Sequence, residues 1–156
     1  MYSKFNFTNK ILFSVFLIAI TVVNIGCEED PVAPQEEHLK AIGMAFYSSG
    51  IEVARILRGE TADTLFAPLD TLSNHLDVKF FDEDENIIDP PTEHQTLSWE
   101  IVDPTIANIW QHEGHEGTFG FHIRGLKIGE TEIEIFVMHN DHSDYRSGQI
   151  PVKVTN

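Results

Sequence analysis

The rhythm of apolar residues from Leu39 onward constrains the fold most. Short runs in which apolar and polar side chains alternate are separated by turn residues roughly every 8 to 12 positions, a spacing typical of antiparallel sandwiches. HLDVKFF shows it plainly: Leu76, Val78 and Phe80 alternate with Asp77 and Lys79, which puts the apolar set on one face of a strand. LKAIGMAFY and IEVARILRG flank Ser48-Ser49-Gly50, a turn signal between two β-rich runs, so a hairpin is expected over 38–60. A helix over IEVARILRG is the competing reading, but the run is short and the turn favours pairing. TLFAPLDTL reads as a broken, edge-like strand because of Pro68. DEDENIIDPPTEHQ is a loop by composition, and TLSWEIV, IANIW, TFGFHIRG, TEIEIFVM and GQIPVKVT complete the strand set. About seven to nine short strands of this kind predict an all-β, antiparallel sandwich.

The N-terminus is of another character. In MYSKFNFTNKILFSVFLIAITVVNIGCEED, Lys4 and Lys10 precede an apolar run from Ile11 to Val23, followed by Gly26 and the single cysteine, Cys27. The run is short for a spanning helix of about 20 residues, and Gly26 suits a cleavage site. The pattern resembles a bacterial lipoprotein signal, which implies that residues 1–26 are removed and that Cys27 is the lipidated first residue of the mature chain. Asn24 departs from the leucine usual in that motif. Glu28-Glu29-Asp30 looks like the surface-export tag of Bacteroidota-type lipoproteins, so the expected location is the outer membrane or cell surface, with a periplasm-facing anchor as the alternative. Residues 27–37 are acidic, carry two prolines and lack an apolar period, as a tether does.

Charge and cysteine content narrow the function classes. Losing 1–26 removes two lysines and no acid, taking the formal charge from −15 to −17. Such a chain repels nucleic acid and anionic headgroups and attracts cations or basic partners. With Cys27 committed to the anchor, no thiol is left for a disulfide, a metal or a nucleophile. The remaining length suffices for one modest core.

Three stretches then carry a family resemblance: SWEIVDPTIANI (Ser98 to Ile109), GLKIGETEIEI (Gly125 to Ile135) and IPVKV (Ile150 to Val154). Together they are similar to the bacterial Ig-like domain of group 2, over roughly Thr61 to Thr155. The resemblance implies an Ig-like β-sandwich at 61–156 with the 38–60 hairpin added before it, Trp99 buried in the core, and no catalytic activity. Such domains serve adhesion, spacing, or contact with protein or carbohydrate. This chain departs from the family where it has HEGHEGT (His112 to Thr118) between strands D and E, and HNDHSD (His139 to Asp144) between F and G.

Strand reversal places the B–C, D–E and F–G loops at one end of a sandwich, so five of the eight histidines, His94, His112, His115, His139 and His142, are expected on one rim. Asp141 and Asp144 accompany them, as do Asp82, Asp84, Glu93, Glu113 and Glu116. By the same reasoning His75 falls at the opposite end, and His122 lies part way along strand E, facing away from Phe119, Phe121 and Ile123. Neutral imidazole suits zinc, copper and nickel, and the two His-x-x-His spacings let each turn supply two ligands. The bland alternative is a solvated polar loop, and a further one is histidine protonation as a pH response. Trp110, Phe119 and Tyr145 flank the rim, where strand-end packing is favoured over a ligand platform.

Calcium ranks behind zinc and copper. Asp82, Asp84, Asn86 and Glu93 echo positions 1, 3, 5 and 12 of an EF-hand, but Ile87 stands where the motif needs glycine. No Gly-x-Ser-x-Gly elbow or phosphate loop is present, so an enzyme is not expected. The sequence therefore predicts an envelope lipoprotein anchored at Cys27 that binds a metal through its histidine rim, or an adhesion module that contacts protein or glycan.

Overall fold

A computed structural model describes residues 39–91 and 94–156. The signal segment, the tether with Cys27, His38 and Glu93 lie outside the described residues. The first strands form around Ser49 and Gly50, whose φ values of 51° and 80° are those of a two-residue hairpin turn. They join β1 (Gly43–Ser48) to β2 (Ile51–Leu57). The chain continues through β3 (Leu65–Pro68), β4 (Leu76–Phe81), β5 (Ile87–Ile88), β6 (Gln95–Ile101), β7 (Ala107–Trp110), β8 (Gly120–Gly125), β9 (Gly129–His139) and β10 (His142–Thr155). No helix occurs among the described residues.

These strands make an all-β sandwich. One sheet has the order β2-β1-β4-β8-β7, with β5 attached to β4; the other has the order β3-β10-β9-β6. Taking β4, β6, β7, β8, β9 and β10 as B to G gives B, E and D on one sheet and C, F and G on the other, the arrangement of Ig-like sandwiches. β1 and β2 make a hairpin within the stretch where one was expected, and β1 pairs with β4 on its free side, so the hairpin extends the first sheet. Pro68 ends β3, an edge strand that runs parallel to β10, a position where a missing N–H costs no ladder bond.

The core fills the space between the sheets. Met44, Phe46, Val78, Phe80, Phe121 and Ile123 from the first sheet are buried together with Leu97, Ile133, Ile135, Val137, Ile150, Val152 and Val154 from the second. Phe80 meets both Phe119 and Tyr145 edge to face, with centroids 5.8 and 5.7 Å away. Trp99, expected in the core, is only half-buried at its margin. The reason is its place on β6, the outer strand of its sheet, where one side of the indole lacks a neighbouring strand to cover it.

Candidate metal centre

The β9–β10 connection is tighter than its polar composition suggests. His139 and His142 are paired across a two-residue turn made by Asn140 and Asp141, and Asn140 has φ 53°. Asparagine tolerates this left-handed conformation and is favoured in such turns. The histidines of MHNDHSDY therefore sit at strand ends, held in register, where a polar loop was expected. His139 also continues the inward alternation of Thr131, Ile133, Ile135 and Val137, and it is buried as they are. An imidazole thus occupies the mouth of the sandwich where another apolar side chain would fit the pattern.

Asp144 completes the arrangement. Its carboxylate is almost wholly buried, with 1 % of the side chain exposed. Gln95 Nε2, at the start of β6, donates to Asp144 Oδ2 over 2.6 Å. His139 Nδ1 lies 3.4 Å from the same oxygen, and His142 Nε2 lies 3.1 Å from Oδ1. A buried carboxylate is retained only when paired or hydrogen-bonded, and this one has an amide and two imidazoles around it. His139, His142 and Asp144 each offer a ligand atom, and all three atoms lie within 4.8 Å of one another. These residues could hold a metal ion: two imidazole nitrogens and one carboxylate oxygen are a donor set suited to zinc or copper. Among the described residues no other group of three or more such side chains meets that spacing. Just inward, Tyr145 packs on Phe80, and burial raises its hydroxyl pKa above the ordinary tyrosine value.

The other rim residues are placed differently. Asp141 is fully exposed, its Oδ1 3.7 Å from His142 Nδ1. His94 is exposed just before β6, with φ 59°. The β7–β8 loop does approach this end of the sandwich, since Leu97 N donates to Gly117 O over 2.7 Å. Its histidines nevertheless gather elsewhere. His112 Nε2 is 3.3 Å from His122 Nε2, and the rings of His112 and His115 are 6.5 Å apart. His75, expected at the opposite end, has its Nδ1 3.4 Å from the same His122 nitrogen. The cause is stagger: β4 and β8 pair through their first residues, Leu76 with Phe121 and Asp77 with Gly120, so the start of β4 lies beside His122. Six of the seven described histidines thus form two groups, one around Asp144 and one around His122, and His94 joins neither.

Gln95 and His122 were not singled out as site residues from the sequence. The signal for Gln95 lies in the alternation Gln95, Leu97, Trp99, Ile101 on β6, which puts its amide on the face of Leu97 and opposite His139. For His122 the pairing partners had to be known.

The acidic turn after β4 is self-contained. Asp82 Oδ1 accepts from the backbone N–H of Asp84 at 2.9 Å and of Asn86 at 2.8 Å, and Asn86 Nδ2 donates to the same carboxylate. Those bonds, the backbone one from Asn86 foremost, hold the Asp82 carboxyl below the usual carboxylate range. The segment is an Asx-type turn that leads into β5.

No protein-family model matches this chain, and no curated protein matches it. Among solved structures it is similar to domains 4 and 5 of the S-layer protein SbsC, at 14% identity and a TM-score of 0.41. That match covers 60% of this chain and 47% of the other, so the chain spans about half the length of that structure.

Proposed function

We propose that the protein is a cell-envelope lipoprotein whose sandwich captures a transition-metal ion, zinc or copper, at the tip of the β9–β10 hairpin. The observation that carries this reading is the buried Asp144 carboxylate with His139 and His142 against its two oxygens. His139 and Asp144 are fixed by burial, so little ordering would accompany binding, while the half-exposed His142 provides the way in. The strongly negative chain would favour cation approach. Cys27 would attach the domain to the outer membrane or cell surface through acyl chains, and residues 28–37 would hold it clear of the bilayer. The role is binding rather than catalysis, on a scaffold of the group 2 Ig-like kind.

Calorimetric titration of the purified, chelator-stripped protein with Zn²⁺ and then Cu²⁺ tests this. A stoichiometric site at micromolar affinity or tighter, weakened at least about tenfold by His139→Ala or Asp144→Asn, is the expected result. Weak heats indifferent to both substitutions would sink it.

One observation favours a second reading, an adhesion or assembly module. Phe66 on β3 is 61% exposed and Val53 on β2 is 46% exposed, and both line one groove together with Leu65 and Pro68. Exposed apolar side chains gathered at sheet edges suit contact with a protein or glycan. Partner capture by the metal-free protein, lost on Phe66→Ser, would favour it.

A further inference from the structure

We propose that His122, with His75 and His112, forms a second transition-metal seat on the outer face of the first sheet, independent of the Asp144 group. Three adjacent strands deliver the three rings. On β8 the buried Phe121 and Ile123 point inward, so His122 between them points outward. The Leu76–Phe121 pair brings His75, just before β4, alongside, and the Trp110–His122 pair brings His112, two residues after β7.

Hydrogen bonding fixes where the protons are. His122 Nδ1 lies 2.9 Å from the Ser73 carbonyl oxygen, which only accepts, so Nδ1 carries the proton and Nε2 presents a lone pair. His75 Nδ1 and His112 Nε2 lie within hydrogen-bond reach of that lone pair, at 3.4 and 3.3 Å, and Asp77 Oδ1 is 3.2 Å from the other ring nitrogen of His75. A cation bound there would take the place of the hydrogen bonds between the rings.

Geometry favours the metal. Two nitrogens bound to one tetrahedral zinc at about 2.0–2.1 Å stand roughly 3.3–3.4 Å apart. His122 Nε2 has His75 Nδ1 at 3.4 Å and His112 Nε2 at 3.3 Å. Metal-bound histidines commonly give their other N–H to a carboxylate or a backbone carbonyl, which orients the ring; Asp77 and Ser73 occupy those positions here. Gly120 makes room, because a Cβ there would lie 2.6 Å from His75 Nε2 and 2.9 Å from its Cε1. The three rings do not close into a mutually close triangle. His75 and His112 flank His122 and, being exposed, can swing toward a shared ion. They open on a groove of about 480 Å³ also lined by Gln111 and Asp89, leaving room for water or a further oxygen ligand.

Trp110 reports on this seat. Its ring is 4.5 Å from that of His112 and 5.5 Å from that of His122, and the second tryptophan, Trp99, is on the other sheet. In the full-length protein carrying Trp99→Phe, Cu²⁺ added after chelator treatment should quench Trp110 emission saturably, and excess Zn²⁺ should reverse the quenching. His122→Ala and, at an exposed position that leaves the core untouched, His75→Ala should each weaken the quenching at least about tenfold. His139→Ala should leave the affinity for free Cu²⁺ read from the quenching unchanged. Quenching that is absent, or as tight in His75→Ala and His122→Ala as in the Trp99→Phe parent, overturns the proposal. If calorimetry then still finds a site sensitive to His139→Ala, this seat fails and the Asp144 reading stands.

Discussion

At the residue scale, the Asp144 carboxylate organises its surroundings, and the substitution chosen decides what is learned. Asp144→Asn keeps the volume and one acceptor oxygen but removes the charge that faces two imidazoles. Metal affinity should fall at least about tenfold, with a stability loss of roughly 1–2 kcal/mol read from the urea midpoint, since a buried hydrogen bond to a charged group contributes about that much. Asp144→Ala also takes away the acceptor 2.6 Å from the Gln95 amide and should cost more, roughly 2–4 kcal/mol. Equal stability of the two variants would mean that the carboxylate is not the centre of the group. His139 was legible in the sequence twice over, by residue type and by its place in the 133, 135, 137 alternation. The His75–His122 contact was not, because it depends on the register of two strands that brings together residues 47 apart, and a shift of two positions would part the rings without changing either strand's pattern.

At the element scale, short-range chemistry explains most of what could be read and part of what was misread. HLDVKFF and TEIEIFVM became β4 and most of β9 because strict alternation leaves one face to bury. HNDHSD reads as a loop because polar residues dominate it, yet two residues with the right turn conformation are enough to reverse a strand. Asn140→Gly should therefore leave stability and metal affinity nearly unchanged. Asn140→Val, β-branched at φ 53°, should cost about 1–2 kcal/mol and weaken metal binding by disturbing the His139–His142 register. Comparable melting curves for the two variants would contradict this. The Asp103 turn leading into β7 gives a pH prediction. Its Oδ1 accepts from the Thr105 hydroxyl at 2.6 Å and the Thr105 amide at 3.0 Å, and these bonds, the hydroxyl first, hold its carboxyl below the usual range. With the folded value depressed, the stabilisation is present above the unfolded pKa of about 3.9 and is lost as pH falls through the folded value. Asp103→Asn should flatten the acid limb of the stability curve below about pH 4 and leave its slope near neutral pH unchanged, as followed by urea denaturation across pH.

At the scale of the whole molecule, the sequence indicated two layers but not how they are clamped together. Alternation says that each strand has an inner face; it does not say which strand of one sheet touches which strand of the other. One close contact between the sheets is made at Gly125, the last residue of β8. A Cβ at that position would lie 2.3 Å from the Pro68 carbonyl oxygen of β3 and 2.8 Å from Val154 Cγ1 of β10, both on the opposite sheet. Leu69 bridges to Gly125 as well, and Asp70 N donates to the Gly125 carbonyl over 3.0 Å. One glycine thus lets backbone meet backbone where the sheets converge. Neither the oxygen, fixed in the β3 chain, nor a buried valine methyl can retreat far. Gly125→Ala should push β3 away from β8 and cost about 1–3 kcal/mol, the range for overpacking a tight site. The loss should appear as a lower urea midpoint with an unchanged slope, because the unfolded surface stays the same. The two histidine groups give that experiment its control, since neither includes Gly125 or a residue paired with it. If β3 yields locally, both metal titrations should survive the substitution. If both are lost along with the midpoint, the clamp holds the entire sandwich in register.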